Sequence, residues 1–125
     1  MRLAIGWQVS EKLRGHQVIR LFYVSTASAS VDQKTIDQIV TKSNVWNVEH
    51  DITGALSFNG KNFGQILEGP EANVLMLMDL LKSDKRHSGL VEIRRISITQ
   101  RAFYDWGLKL IEGPDFKDFI AIMHE

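Results

Sequence analysis

Asn59-Gly60-Lys61-Asn62, lying between two apolar runs, constrains this chain more than any other stretch. Asn-Gly in that setting is the strongest short-range signal for a β-hairpin, because both residues tolerate the left-handed backbone of a tight turn. The flanking runs, Ile52 to Phe58 and Phe63 to Glu68, read as the two strands it joins. Gly69-Pro70 then ends the second strand and opens a helix, with proline near the first turn, where its missing N–H costs nothing.

The other elements follow from periodicity. Val18 to Ser25 is rich in β-branched and aromatic residues and reads as a strand. Ile19, Leu21, Tyr23 and Ser25 share one of its faces; Val18, Arg20, Phe22 and Val24 share the other. Thr26 to Ser30 reads as a loop. Asp32 is a plausible N-cap for a helix carrying Ile36, Ile39, Val40 and Val45 at helical spacing. Val74, Leu75, Leu77, Met78 and Leu81 give the second helix a wide apolar face, ending near Ser83-Asp84. Leu90 to Thr99 reads as a fourth strand, and its parity slips between Ile93 and Ile96, the mark of a bulge or bend. Phe103 to Ile111 reads as a fifth strand, with Trp106, Leu108 and Leu110 on one face. Phe116, Phe119, Ile120 and Met123 make a short amphipathic helix after Gly113-Pro114. The order β-α-β-β-α-β-β predicts an α+β, ferredoxin-like fold, with two helices on one face of a mostly antiparallel sheet and a short C-terminal helix. Residues 18–111 form the expected domain, preceded by an N-terminal extension, residues 1–17, and followed by residues 112–125.

Composition removes several functions. The chain of 125 residues has no cysteine, so disulfides, thiolate metal sites, cysteine nucleophiles and flavin–cysteine photochemistry are excluded. Lys+Arg and Asp+Glu both total 15, and the only tight basic clusters are Lys85-Arg86-His87 and Arg94-Arg95. A nucleic-acid partner is therefore not expected. His16, His50 and His124 lack the spacing of a metal site and read as surface residues. No apolar run approaches the roughly 20 residues of a membrane span. Leu3 to Trp7 is too short and too quickly interrupted for a signal peptide, so the expected location is cytoplasmic.

Three polar residues stand where apolar ones would be unremarkable. Gln65 alternates in phase with Phe63 and Leu67, so it points between sheet and helices. A buried amide without partners costs about 1–3 kcal/mol, and something must satisfy it. Tyr23 sits in phase with Ile19 and Leu21, and in a ferredoxin-like order the first and third strands are neighbours, so it can meet Gln65. Asn47 lies one helical turn beyond Ser43, which lies one turn beyond Ile39. Each has a plain structural alternative: a backbone-bonded glutamine, a core tyrosine, a helix cap. Together they suit a flat heteroaromatic ligand with ring nitrogens and carbonyls. Asp84-Lys85-Arg86-His87 is either a solvated helix terminus or a set of contacts at the mouth of the same slot.

These segments together resemble the BLUF family of FAD-using blue-light sensors: LFYVS, SNVWN, ITGAL, FGQILEGP, DKRHS and RAFYDWGLKL, in order from Val18 to Ile111. The resemblance implies a photoreceptor, not an enzyme, with FAD (or FMN in its stead) between the two helices. It implies that Tyr23 is the light-driven electron and proton donor, that Gln65 bridges it to the flavin and is left rotated or tautomerised, and that Asn47 anchors the ring edge. Ser43, Ile39, Phe63, Arg86 and His87 match flavin-lining positions, and Asp84 opens their motif. Trp106 is a competing donor. The family usually has methionine two residues after this tryptophan; Leu108 keeps the volume but loses the thioether of that relay position. Gly64, beside Gln65, stands where a larger residue is usual. The implied output goes to an effector protein or a rearranged homo-oligomer. A flavin-free scaffold serving as an interaction module, an RNA-binding domain and a small phosphatase are the alternatives. Trp7, Val9 and Leu13 are expected to dock residues 1–17 on the open sheet face.

Overall fold

The computed structural model describes residues 17–103, 107, 109–112 and 117–124. Its elements are β1 (Val18–Ala27), α1 (Gln33–Glu49), β2 (Thr53–Phe58), β3 (Asn62–Pro70), α2 (Glu71–Lys82), β4 (His87–Ser97), β5 (Lys109–Glu112) and α3 (Lys117–Ile122). The strands form one sheet in the order β4-β1-β3-β2-β5. All neighbours are antiparallel except β2 and β5, which run parallel.

Local chemistry sets the element ends. Asn59 Oδ1 accepts the backbone N–H groups of Lys61 (3.0 Å) and Asn62 (2.7 Å), while Gly60 takes φ +94°, so the hairpin forms where the sequence predicts it. Asp32 caps α1 by accepting the Thr35 N–H at 2.9 Å. Pro70 stands at the N-cap of α2, and the Glu71 N–H is taken by Gln17 O at 3.0 Å.

The two parities of β1 and β3 build two cores. Ile19, Leu21, Tyr23 and Leu67 pack under Val74, Leu77 and Met78 of α2, with Trp46 of α1 alongside. Leu56 and Phe63 pack with Ile36, Ile39 and Val40 of α1. On the opposite face Phe22, Ala55 and Ile66 are covered by Phe119 and Met123 at the C-terminal end of the chain. The Phe22 and Phe119 rings meet edge to face, 5.9 Å apart. Two helices thus share one face and the short helix takes the other. Ile120, expected on the apolar face of α3, is half exposed, and Ile122 packs inward instead.

Two strands differ from their expected spans. β4 begins at His87 rather than Leu90, and ends at Ser97. The expected irregularity is there: Phe22 pairs with Arg94 and Tyr23 with Glu92, leaving Ile93 as the extra residue. A second shift falls between Val24 and Thr26, where Gly89 adopts φ +61°. β5 is described over Lys109–Glu112, and Phe103, expected to open it, lies outside the strand because a side chain holds its backbone. Glu68, fully buried, accepts the N–H groups of Ala102 (2.9 Å) and Phe103 (2.7 Å) and the Arg20 guanidinium (2.7 Å). Arg101, also buried, donates to Asp51 O at 3.0 Å and Glu68 O at 3.2 Å. Those amides cannot also enter a strand ladder. The expected docking of Trp7, Val9 and Leu13 falls outside the described residues.

Candidate functional site

Tyr23 and Gln65 are direct partners across β1 and β3, and both point to the helical face. They are 2% and 5% exposed, so whatever they bond with lies inside the protein. The Tyr23 hydroxyl donates to Gln65 Oε1. Burial pushes the Tyr23 phenol well above its ordinary value, and the Asp84 carboxylate adds to the shift. The phenol therefore keeps its proton at neutral pH and remains a donor. With Oε1 engaged, the free end of the Gln65 amide is its NH₂ donor.

A slot opens over this pair, lined by Tyr23, Ile39, Ser43, Phe63, Gln65 and the Asp84–His87 turn, with Leu56 and Leu81 completing it. It is narrow, a cavity of about 40 Å³. Apolar walls and a few convergent polar groups suit a flat ring with carbonyl and N–H edges.

The mouth is built by the turn after α2. Asp84 Oδ1 accepts the Arg86 N–H (3.0 Å) and Arg86 Nε (2.9 Å). Hydrogen bonding from Arg86 holds the Asp84 carboxyl below its usual range, against the smaller opposing effect of burial. The same contact raises Arg86. The Arg86 side chain is 45% exposed, so the pair adds little stability, about 0–1 kcal/mol, and mainly orients the turn. His87 closes the inner end. Its Nε2 lies 2.6 Å from Leu81 O and its Nδ1 2.7 Å from Ser25 Oγ. A carbonyl only accepts, so Nε2 carries the proton. Its ring stands 6.4 Å from that of Tyr23 and 6.2 Å, edge on, from that of Phe63.

Asn47 is buried but lies off the slot wall. Its Nδ2 donates to Gly107 O at 2.9 Å, while its Oδ1 has no hydrogen-bond partner among the described residues. A Cβ on Gly107 would come within 2.7 Å of Asn44 O, so only glycine lets the chain approach α1 closely enough for that contact. A buried acceptor left in this state is uncommon and marks a place where a donor would fit. Trp106 and Leu108 lie outside the described residues. His50 is half-buried rather than a surface residue: its ring stacks on Trp46 at 3.6 Å.

Three participants did not stand out in the sequence. Leu56 was within reach: a hairpin turning at 59–62 pairs Phe58 with Phe63 and hence Leu56 with Gln65. Ser25 shares the Tyr23 parity, but its bond to His87 depends on where β4 begins. Leu81 belongs to an apolar helix face with nothing to set it apart.

A ferredoxin-like sheet, carrying a tyrosine–glutamine pair beneath a narrow apolar slot, defines a binding module for a flat heteroaromatic cofactor. Residues 18–109 match the family described as BLUF, sensors of blue light using FAD. The chain belongs to the BLUF family. It is 36% identical over 92 residues to the blue light- and temperature-regulated antirepressor BluF of Escherichia coli K12, covering 74% of this chain and 23% of that protein. It is 31% identical over 87 residues to the alpha subunit of photoactivated adenylate cyclase of Euglena gracilis, covering 70% of this chain and 8% of the subunit. The chain thus spans less than a quarter of these curated relatives. Among solved structures, the dark state of the BLUF protein BlrB superimposes with a TM-score of 0.76 at 29% identity, over 86% of this chain and 81% of that one.

Proposed function

We propose that the light response of this chain is a hydrogen-bond switch at Gln65, with Tyr23 as its partner and Ile39, Ser43, Phe63, Asp84, Arg86 and His87 as the walls that hold FAD. The observation carrying this reading is the buried hydrogen bond from the Tyr23 hydroxyl to Gln65 Oε1 beneath the slot. When bound, the flavin supplies the blue-light absorption and an electron-accepting ring. Tyr23 holds its proton at Oη, raised by burial, with Gln65 Oε1 as the acceptor along which it can move. Turning the Gln65 amide end for end exchanges its two functions: Nε2 would donate to Tyr23 Oη, and Oε1 would face into the slot. Each arrangement satisfies the phenol, so the two states differ by one rotation and not by a lost bond. Asn47 offers Oδ1 to the ligand while Nδ2 stays on Gly107. Trp106 as competing donor and Leu108 as relay are assigned on the resemblance alone.

The output reading is a sensor acting in the cytoplasm through an effector protein or a rearranged oligomer, not through its own catalysis. One relative is named an antirepressor and another a cyclase subunit, which supports a shared sensing module coupled to different outputs. Purified protein is expected to be yellow and to show a reversible light-induced red shift. Gln65→Leu should retain the chromophore and lose the shift; a full red shift in that variant would sink the proposed switch.

A further inference from the structure

His87 opens β4 and stands directly across from Ala27 of β1. Ser25 lies two residues before Ala27, so it shares a face with Ala27 and Tyr23. A diagonal neighbour at that offset is within reach of an aromatic side chain. Between Val24 and Thr26 the ladder shifts register, and Gly89 takes φ +61°. A bulge of this kind re-aims the side chains beside it. The imidazole reaches back along β1: its Nδ1 lies 2.7 Å from Ser25 Oγ, and its ring centre 6.4 Å from that of Tyr23.

Leu81 O belongs to the last turn of α2, where carbonyls lack partners within the helix. It accepts the Asp84 N–H at 3.1 Å and lies 2.6 Å from His87 Nε2. With the proton on Nε2, Nδ1 is an acceptor, and the Ser25 hydroxyl is its donor. An imidazole has only two nitrogens, and both are engaged inside the protein. His87 lines the slot, whereas Ser25 is 2% exposed and does not. A histidine beside Tyr23 with Nδ1 open would be a second acceptor for the phenol's proton, in competition with Gln65.

We infer that Ser25 is a positioning residue of the slot. Acting through His87, its hydroxyl fixes the ring in one tautomer, so that the histidine offers the flavin a wall without a hydrogen bond and offers Tyr23 no second acceptor. The inference rests on the reading of the slot as the flavin site and of Tyr23 and Gln65 as its switch.

The test reads the imidazole nitrogens of the flavin-loaded full chain by nitrogen-resolved NMR in the dark. In the wild type His87 should show one tautomer, with the proton on Nε2. Ser25→Ala should release Nδ1 and bring in the second tautomer; Ser25→Thr, which keeps the hydroxyl, should restore the first. The yield of the red-shifted state should fall about twofold or more with alanine, since an equal second acceptor halves the productive share, and return with threonine. A proton on Nδ1 in the wild type, His87 signals unchanged in Ser25→Ala, or a yield untouched by alanine would overturn the inference. The red shift of the wild type, recorded on the same samples, reads the Gln65 switch separately: its absence would remove that switch and leave the tautomer result standing.

Discussion

At the scale of single residues, Tyr23 and Gln65 satisfy one another, so changing either exposes the other. Tyr23→Phe leaves Gln65 Oε1 buried without its donor, and the expected cost is about 1–3 kcal/mol. A urea titration measures it, and a light-minus-dark spectrum of the same variant should have lost the wild-type shift. This pair was legible in the sequence because two simple regularities agree. Strand parity turns both side chains inward, and the ferredoxin-like order makes β1 and β3 neighbours, which yields the direct pairing found. The surroundings of Asn47 were not legible. They depend on Gly107, which alternation reads as one position of a strand, approaching α1 where no other residue would fit.

At the scale of elements, hairpin, caps and helices follow their local signals closely, since each is set by residues near in sequence. β5 does not. Its apolar alternation predicted a strand from Phe103, but the backbone there is claimed by Glu68, distant in sequence. Nor did Glu68 stand out: strand alternation says which face a carboxylate takes, not that the face is covered by α3 and an arginine. Removing the charge alone, by Glu68→Gln, should destabilise by about 3–5 kcal/mol, because Arg20 is left buried and uncompensated. Replacing both partners with apolar residues, Arg20→Met and Glu68→Leu, should cost less than Glu68→Gln alone. Denaturant midpoints of the two variants give the comparison; equal losses would show the carboxylate's bonds to Ala102 and Phe103 to be the larger contribution.

For the whole molecule, pH acts at opposite ends of the scale through the two shifted acids of the slot. Below about pH 10 the Tyr23 phenol is protonated whether folded or unfolded, and its contribution is complete. Above that the unfolded chain ionises while the buried phenol does not, so stability falls as pH rises. Tyr23→Phe should flatten this alkaline limb in a series of urea midpoints. Asp84 works the other way: its lowered carboxyl favours the folded chain above the usual carboxylate range, and that gain is lost as pH falls through it. The two-sided sheet has a further consequence for assembly. Phe22 and Tyr23 are consecutive yet serve different cores, so a one-residue slip of β1 would carry a phenyl ring into the slot and the phenol beneath α3. Arg20 and Glu68 are direct partners in the same strand pair. The slip would strand a carboxylate in the interior without its cation, so the ion pair proofreads the alignment on which the sensor depends.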